Sequence, residues 1–293
     1  MDEPEVAAPT VDVIVLTQGD RHDDTLTALE TARAQEGVDV TLILVGNGWE
    51  PSGFPDDVRT IHLEENLGVP EGRNVGVAAG TSEFILFLDN DAWLPDVDLL
   101  SRAVAQMRAE PRLGLVQPRL CGPDGTTHRR WVPRARVGDP DVGGPAFAMC
   151  EGATIVRRAA YEDAGGFPGD FFFCHEGIEL AWQLRDHGWE LVYDPTLVMH
   201  HPVTEATRHE IFWRHNARNR VWVARRNLPW PLSWLYLLTW TLIVVLRTWR
   251  QPGDLRTWFA GFREGVTSDP GLRRPMSWRT VVRLARLGQP PLI

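Results

Sequence analysis

The chain has 293 residues, of which 43% are hydrophobic and 24% are charged, a composition that supports a sizeable globular core. This length is long for one ordinary domain and short for two full-sized domains. The formal net charge of −9 argues against a generic nucleic-acid binder, so we expect no nucleic-acid partner.

Charge is distributed unevenly along the chain. Residues 1–204 contain 15 arginines and 34 acidic residues, whereas residues 205–293 contain 15 arginines, 5 acidic residues and 8 of the 13 tryptophans. A basic, tryptophan-rich segment on an acidic body is typical of contact with a membrane surface or a phosphorylated lipid. We therefore divide the chain into a body, residues 1–204, and a helical C-terminal segment, residues 205–293, for which we expect peripheral membrane contact.

The cysteines and the N-terminus bear on the compartment. Cys121, Cys150 and Cys174 have neither the spacing of metal ligands nor a paired framework, which favours a reducing cytoplasm. The first ten residues, "MDEPEVAAPT", are acidic and have no apolar core, so they do not predict a signal peptide. We expect a cytoplasmic protein, with the inner face of the cell membrane as its candidate location.

Strand and helix patterns alternate through the first part of the chain. Apolar, β-branched runs predict strands at 11–17, 38–48, 58–64 and 83–89. Helical spacing or small-residue content predicts helices at 25–35 and, after a turn, within 68–80. This alternation favours an α/β fold with a parallel sheet and right-handed crossovers.

The patterns continue through the rest of the body. They predict a helix at 97–110, a strand at 113–120, a strand and a short helix within 150–167, a helix at 175–189 and a strand at 190–201. The intervening stretch 121–145 is polar and rich in Gly and Pro, which predicts a flexible loop over the site.

The C-terminal segment has two distinct patterns. A basic helix is predicted at 210–229, and the helical positions of Arg214, Arg218 and Arg225 indicate a shared face for a lipid diphosphate or simply a solvated surface. The apolar stretch 232–246 is shorter than the roughly 20 residues that span a bilayer. Its Trp flanks and Arg ends favour a helix at the membrane interface, with a buried core helix as the alternative.

Polar residues stand where several predicted strands end. Thr17, Asn47 and the triplet Asp89-Asn90-Asp91 all occupy such positions, and ligands of parallel sheets bind beyond these carboxyl ends. Two carboxylates one residue apart repel each other unless a cation lies near them. We therefore expect Asp89 and Asp91 to hold Mn²⁺ or Mg²⁺ against a phosphate. An Asp-rich turn that caps the next helix is the alternative.

Four segments, in order, resemble GT-A glycosyltransferases of family 2. "FLDNDAWL" (87–94) resembles the D-x-D segment, "VDVIVLTQGDR" (11–21) the first strand and nucleotide-binding turn, and "ENLGVPEGRNVGVAAG" (65–80) the N-x-G-x-x-x-x-R-N-x-G segment. The run 151–201 resembles the acceptor-side region with G-G-F, E-D-V-D-L and a final histidine. The resemblance implies a Rossmann-like, mostly parallel sheet flanked by helices, here followed by a C-terminal helical extension.

The resemblance also implies a reaction and a set of site residues. The reaction is transfer of a sugar, with inversion, from a nucleotide-sugar donor to an envelope glycan or a polyprenyl-linked acceptor. Asp91, helped by Asp89, would hold the metal on the donor diphosphate, and His200 or His201 would complete the metal site, because imidazole suits Mn²⁺. The residues implied for donor binding are Thr17, Gly19, Asp20, Asn47, Arg73, Asn74, Asp89 and Asn90.

Two positions depart from the family pattern. The second acid of E-D-V-D-L, which usually serves as the base, corresponds to Gly177; we therefore expect Glu176 to be the base, with Glu179 as its substitute. Gly46 stands where the family commonly has an aspartate that helps to hold the nucleobase. Both departures keep open a catalytically inactive nucleotide-binding module. A nucleotidyltransferase also remains an alternative, although "TQGDRHDD" is more acidic than its phosphate loop would be.

Overall fold

The computed structural model describes residues 7–134, 138–203 and 211–292. Within these residues the strands form one eight-stranded sheet in the order β3-β2-β1-β4-β7-β5-β8-β6. The strands are β1 (Thr10–Thr17), β2 (Asp39–Asn47), β3 (Val58–Leu63), β4 (Phe84–Asp89), β5 (Leu113–Cys121), β6 (Gly144–Pro145), β7 (Ala153–Arg157) and β8 (Glu190–His200). The boundary predicted between residues 204 and 205 lies outside the described residues.

The helices of the body follow the predicted order. They are α1 (His22–Arg33), α2 (Val69–Ala79), α3 (Leu99–Ala109), α4 (Arg158–Ala164) and α5 (Glu176–Asp186). β1 pairs in parallel with β2 and β4, and β2 pairs in parallel with β3, which confirms the α/β class and the parallel core. β7 is antiparallel to both β4 and β5. It departs from the parallel expectation because the chain between β5 and β7 contains no α-helical crossover among its described residues.

Alternate side chains of the central strands enter two hydrophobic cores on opposite faces of the sheet. Val13 and Leu86 belong to the core under α1 and α3, whereas Ile14 and Phe87 belong to the core under α4 and α5. A strand buried on both faces requires a continuous apolar sequence, which explains the unbroken runs in β1 and β4. The sheet is thereby fixed, and the residues at its carboxyl edge are held in place.

The C-terminal segment contains α6 (Phe212–Asn227), α7 (Trp230–Thr248), α8 (Pro252–Thr267) and α9 (Trp278–Arg286). Phe171 and Trp182 of the body share a hydrophobic cluster with Trp222 of α6 and Tyr236 of α7. Because the two parts share this core, α6 packs directly on the body.

On the predicted face of α6, Arg214 is 61% exposed, whereas the arginines further along the helix are used within the protein. The Arg220 guanidinium donates to the Tyr236 hydroxyl at 3.0 Å and lies 3.7 Å from the centre of the Trp240 ring. Arg225 donates to backbone carbonyls near the end of α8, the Ser268 carbonyl among them at 2.8 Å. The predicted face is therefore only partly available, because α8, which the sequence reading did not identify, covers this part of α6.

Helix α7 is the one described helix long and apolar enough to cross a membrane, a test that the core helix of a soluble protein also passes. It has 19 residues with a mean hydropathy of 1.3, and only 28% of its most apolar window is buried. Large apolar side chains four residues apart remain exposed, namely Trp234, Leu238, Leu242 and Leu246. This exposure argues against the buried core helix that was the alternative.

Candidate active site

A cavity of about 830 Å³ opens at the carboxyl edge of the parallel strands. The sequence-predicted residues that line it are Thr17, Asp20, Asn47, Arg73, Asp89, Asn90, Asp91 and His201. The loop between β5 and β7 contributes Arg130, Trp131 and Cys150 to the same cavity. Most of the predicted site is therefore brought together in one place, by β1, β2, β4, α2 and the chain that follows β8.

Asp89, Asp91 and His201 converge in this cavity. The Nε2 atom of His201 lies 3.4 Å from Oδ2 of Asp89 and 3.2 Å from Oδ1 of Asp91. One ligand atom from each residue lies within 4.8 Å of the others. Two carboxylate oxygens and one imidazole nitrogen form a donor set that suits Mn²⁺ and, less well, Mg²⁺. The residues present therefore fit a divalent cation.

The other ring nitrogen and the other carboxylate oxygens are held by neighbours. Nδ1 of His201 lies 2.6 Å from the Pro202 carbonyl, and donation there leaves Nε2 as the nitrogen with a lone pair. Arg73 donates to Oδ1 of Asp89 at 2.7 Å, and Arg21 donates to Oδ2 of Asp91 at 2.5 Å. Arg21 was not among the predicted site residues. These contacts orient one oxygen of each acid toward His201.

The electrostatics of the cluster follow from these contacts. Burial alone would raise the pKa of Asp89, but the hydrogen bond with His201 and the charge of Arg73 lower it to about 2. For Asp91 burial is the largest influence and outweighs His201 and Arg21, so its pKa is raised. Burial lowers the pKa of His201, yet the two carboxylates outweigh it and raise that pKa overall. The raised pKa of His201 indicates that the two carboxylates favour a positive charge beside them, which is the position that a bound cation would take.

Gly152 allows Asp89 to adopt its position. The Asp89 backbone N–H donates to the Gly152 carbonyl at 2.7 Å, and a Cβ on Gly152 would overlap the Asp89 carboxylate. The D-x-D turn is therefore packed so closely against Gly152, just before β7, that a side chain there would displace the Asp89 carboxylate. The sequence reading did not identify this residue.

The turn after β1 forms the side of the cavity predicted to hold the nucleoside. The Thr17 hydroxyl accepts from the Gly19 N–H at 3.1 Å and from the Asn90 side chain at 3.2 Å. Gly19 has a φ of +84°, and a Cβ there would lie 2.5 Å from the Trp49 ring. These contacts fix the turn and keep the neighbouring Asp20 on the cavity wall.

Asn47 lines the cavity, but both its side-chain amide and its side-chain carbonyl are hydrogen-bonded to neighbouring residues of the protein. Its amide donates to the Asn66 side chain at 2.9 Å and to the Gly68 carbonyl at 3.1 Å, and its carbonyl accepts from the Leu67 N–H at 2.8 Å. The side chain therefore fixes the turn that precedes α2 and positions this wall of the cavity. Position 46 has no space for a side chain, since a Cβ there would lie 2.7 Å from the Pro51 ring.

The structure places Asn74, one of the predicted donor-binding residues, outside the cavity. Asn74 does not line the cavity; it donates to Glu71 and to the Phe167 carbonyl at 3.0 Å each and accepts from the Tyr161 hydroxyl at 2.6 Å. Its neighbour Arg73 alone reaches the cavity because successive helical residues point in different directions.

His200 lies apart from the two acids. Its ring stacks on Trp93 at 5.1 Å between ring centres, and its Nδ1 lies 3.0 Å from the Gly122 carbonyl. Of the two adjacent histidines, the structure therefore places only His201 at Asp89 and Asp91.

Glu179 is not placed to act as a base. Its Oε1 pairs with Nη2 of Arg226 at 2.6 Å, and its Oε2 accepts from the Asn227 amide at 2.8 Å. Glu179 is 2% exposed and lies between α5 and α6, away from the cavity. The structure does not bring Glu179 to the cavity, because α6 occupies this side of α5.

A second carboxylate, Glu151, accompanies Glu176 at the start of α5. Glu151 lines the cavity, whereas Glu176 is only 4% exposed and is not one of the described residues that line it. Burial and the negative charge of Glu151 raise the pKa of Glu176 to about 8. Burial also raises the pKa of Glu151. The charge of Arg73 and the hydrogen bond from the Gly177 N–H lower that pKa, but burial outweighs them. The sequence reading did not identify Glu151.

The chain that enters α5 is strained and is held by α6. Phe172, Cys174 and His175 have φ values of 63°, 74° and 72°, which are unfavourable for residues other than glycine. The side-chain amide of Asn219 donates to the carbonyls of Phe171, Phe173 and Cys174 at 2.9, 2.7 and 2.9 Å. The C-terminal segment therefore holds the loop that delivers Glu176.

Comparison with known families agrees with this geometry. A family model described as glycosyl transferase family 2 matches residues 9–165. The O-antigen biosynthesis protein RfbC of Myxococcus xanthus is 25% identical over 262 residues, which is 78% of this chain and 20% of that protein. The N-acetylglucosaminyl-diphospho-decaprenol L-rhamnosyltransferase of Mycobacterium tuberculosis is 26% identical over 251 residues, which is 69% of this chain and 80% of that protein. The chain thus spans only a fifth of the first of these relatives.

Solved structures have the same fold. A mannosyltransferase from Pyrobaculum calidifontis, solved with GDP-Man and Mn²⁺, superposes with a TM-score of 0.55 at 20% identity and covers 96% of this chain and 79% of its own. GalNAc-T7, solved with UDP, GalNAc and Mn²⁺, superposes with a TM-score of 0.62 at 14% identity and covers 97% of this chain and 58% of its own.

Proposed function

Since the chain belongs to glycosyl transferase family 2, we propose that it is a metal-dependent glycosyltransferase that takes a sugar from a nucleotide-sugar and inverts the anomeric centre. The observation that carries this proposal is the convergence of Asp89, Asp91 and His201 at the carboxyl edge of the sheet. The proposed acceptor is an envelope glycan or a polyprenyl-linked sugar. The name of the rhamnosyltransferase relative supports a lipid-linked acceptor.

The residues of the cavity have separate tasks in this reaction. Asp89, Asp91 and His201 would hold Mn²⁺ or Mg²⁺, which would neutralise negative charge on the departing nucleoside diphosphate. Arg73, 3% exposed and paired with Asp89, orients that acid and adds positive charge beside the diphosphate. The turn of Thr17 to Asp20 and the side chain of Asn90 form the nucleoside side of the cavity.

An inverting transfer also requires a base for the acceptor hydroxyl. The two carboxylates that stand at the start of α5 are Glu176, which the sequence reading named, and Glu151, which lines the cavity. A glycosyltransferase needs only one of them in the ionised form. The other stays protonated, because two adjacent buried carboxylates do not both ionise near neutral pH.

The donor proposal is tested by thermal stability and turnover. UDP-, GDP- and dTDP-linked sugars are screened with and without Mn²⁺, because a ligand at about 100 times its Kd stabilises the fold by roughly 2.7 kcal/mol. We expect stabilisation by one nucleotide class that depends on Mn²⁺, and release of the nucleoside diphosphate from that donor. Binding without any turnover would instead identify the inactive nucleotide-binding module.

The two adjacent histidines provide a matched pair of variants for the metal. His201→Asn removes a proposed ligand and should weaken Mn²⁺ binding at least tenfold, the effect expected for an altered metal shell. His200→Asn changes the neighbouring residue that stacks on Trp93 and should leave Mn²⁺ affinity within about twofold of wild type. Equal losses in the two variants would remove His201 from the metal site.

The exposed apolar face of α7, made of Trp234, Leu238, Leu242 and Leu246, is the proposed membrane contact at the cytoplasmic face. Its four-residue spacing forms one stripe, and the surrounding segment carries the excess of arginine that favours anionic lipid. Flotation with anionic vesicles should recover the wild-type chain with lipid, and Leu238→Ser with Leu242→Ser should abolish recovery.

Leu272→Ser is the control for this flotation experiment, because Leu272 is 68% exposed but lies outside α7. It should float as the wild type does. A different result is that the wild type fails to bind vesicles and elutes as a dimer on size-exclusion chromatography, with the dimer lost in the α7 variant. That result would assign the face to a second copy of the chain.

A further inference from the structure

Position 177 has no side chain, and the Glu151 carboxylate occupies the space where one would lie. A Cβ built on Gly177 would lie 2.7 Å from Cδ and 2.8 Å from Cγ of Glu151 and would overlap its Oε1. No ordinary packing brings a Cβ this close to another side chain. A side chain at position 177 would therefore displace the Glu151 carboxylate, and the glycine allows Glu151 to adopt the position observed.

Glu151 is also fixed by the backbone of α5. Its Oε1 accepts a hydrogen bond from the Gly177 N–H at 3.0 Å, in the first turn of that helix. The N-terminus of a helix favours a negatively charged group, so this hydrogen bond stabilises the Glu151 carboxylate and opposes the effect of burial, which raises the Glu151 pKa overall. The backbone next to Glu151 is fixed as well, because the carbonyl of the adjacent Gly152 accepts a hydrogen bond from the Asp89 N–H.

Glu151 reaches the reaction space and Glu176 does not. Glu151 lines the same cavity as Arg73 and the proposed metal ligands. Glu176 is 4% exposed, and its Oε2 is buried without a hydrogen-bond partner among the described residues, a position that favours the protonated acid. The two neighbouring carboxyl groups therefore differ in their access to the cavity and in their hydrogen bonding: Glu151 accepts from the Gly177 N–H, whereas Oε2 of Glu176 has no partner among the described residues.

We propose that Glu151 is the catalytic base and takes the place of the acid missing at Gly177. The inference rests on the proposed glycosyltransferase function. As the acceptor oxygen bonds to the anomeric carbon of the donor sugar, its proton passes to the Glu151 carboxylate. The bond from that carbon to the diphosphate oxygen breaks, and its electron pair leaves with the nucleoside diphosphate. Glu176 is a positioning residue that packs beside Glu151.

The test compares Glu151→Gln with Glu176→Gln, which are matched in size and charge change. The donor is whichever UDP-, GDP- or dTDP-linked sugar the wild-type chain turns over, and water serves as the acceptor. Glu151→Gln should lower kcat at least 100-fold, within the range for loss of a general base, while calorimetry finds the Kd of the nucleoside diphosphate with Mn²⁺ within threefold of wild type. Glu176→Gln should lower kcat less than tenfold.

A transplanted carboxylate provides the second arm. Glu151→Ala creates the space that a side chain at position 177 needs. The double variant Glu151→Ala with Gly177→Asp should therefore have a kcat at least tenfold higher than that of Glu151→Ala alone. Gly177→Asp alone should lower the melting temperature, and adding Glu151→Ala should remove most of that loss. This stability cycle tests the shared space even where no variant is active.

The outcomes separate the two claims. Turnover by Glu151→Gln within threefold of wild type, or a 100-fold loss confined to Glu176→Gln, overturns the assignment of Glu151 and leaves the glycosyltransferase function in place. Equal destabilisation by Gly177→Asp with and without Glu151 overturns the shared space. A wild-type chain that turns over no donor overturns the proposed function and the base with it.

Discussion

The buried pair between Glu179 and Arg226 provides a quantitative test of the packing between body and C-terminal segment. Arg226 is 7% exposed; its Nη2 pairs with Glu179 at 2.6 Å and its Nη1 donates to the Pro270 carbonyl at 2.9 Å. Glu179→Gln keeps the volume but leaves the guanidinium without its counter-charge. Loss of one partner of a buried pair costs about 3–5 kcal/mol, against a total stability of about 5–15 kcal/mol.

The assay is urea unfolding at 25 °C, followed by tryptophan fluorescence. Glu179→Gln should lose about 3–5 kcal/mol of unfolding free energy, whereas Glu179→Leu with Arg226→Met should lose much less because no charge stays buried alone. Turnover per folded molecule should stay within threefold of wild type. A loss below about 1 kcal/mol together with a 100-fold fall in kcat would refute the structural role and restore Glu179 as a candidate base.

Three further predictions follow from individual contacts. Gly152→Ala should displace Asp89 and weaken Mn²⁺ binding at least tenfold by calorimetry; unchanged affinity would contradict the close packing of this turn. The pKa of Glu176 is raised from 4.5 to about 8, so the cost of its burial to the folding free energy grows as pH rises from 4.5 to about 8. In urea unfolding, the stability of Glu176→Gln relative to wild type should therefore increase over that pH range. A stability difference that stays constant with pH would contradict the shift. Asn219→Ala removes three hydrogen bonds to the strained loop and should cost about 1–3 kcal/mol, with a lower kcat and increased amide hydrogen exchange at 172–175; unchanged exchange would contradict the restraint.

The sequence predicted those parts of the site that follow from local pattern. Apolar β-branched runs place Thr17, Asn47 and Asp89 at strand ends, and the parallel arrangement of those strands then brings the three to one edge. Parallel pairing needs only the alternation of strands and helices, which is readable from periodicity. The antiparallel β7 has no such local signal, because its direction depends on the path of the preceding loop.

The choice between His200 and His201 illustrates a limit of periodicity. Side chains alternate across a strand, so one of two adjacent residues faces the acids and the other faces away. Which one does so depends on the register of β8 against β5, and that register shifts between Pro118 and Arg119. An irregularity of pairing cannot be read from the sequence of β8 alone.

Glu151 could not be assigned from local sequence because its relation to Gly177 is tertiary. A glycine at a position where the family carries an acid was nonetheless a usable signal, since it pointed to a carboxylate supplied from elsewhere. The arginines of α6 are a similar case. Helical spacing defines a face but not what covers it, and the pair Gly261 and Gly265 in α8 was the available sign of close helix packing.

The central claim is that Asp89, Asp91 and His201 hold a divalent cation against a donor diphosphate. Anomalous diffraction from crystals grown with Mn²⁺ and the stabilising nucleoside diphosphate tests it most directly. We expect one manganese peak within coordination distance of all three side chains and of the diphosphate oxygens. A diphosphate bound in the cavity with manganese absent from these residues, or bound at another cluster, would contradict it.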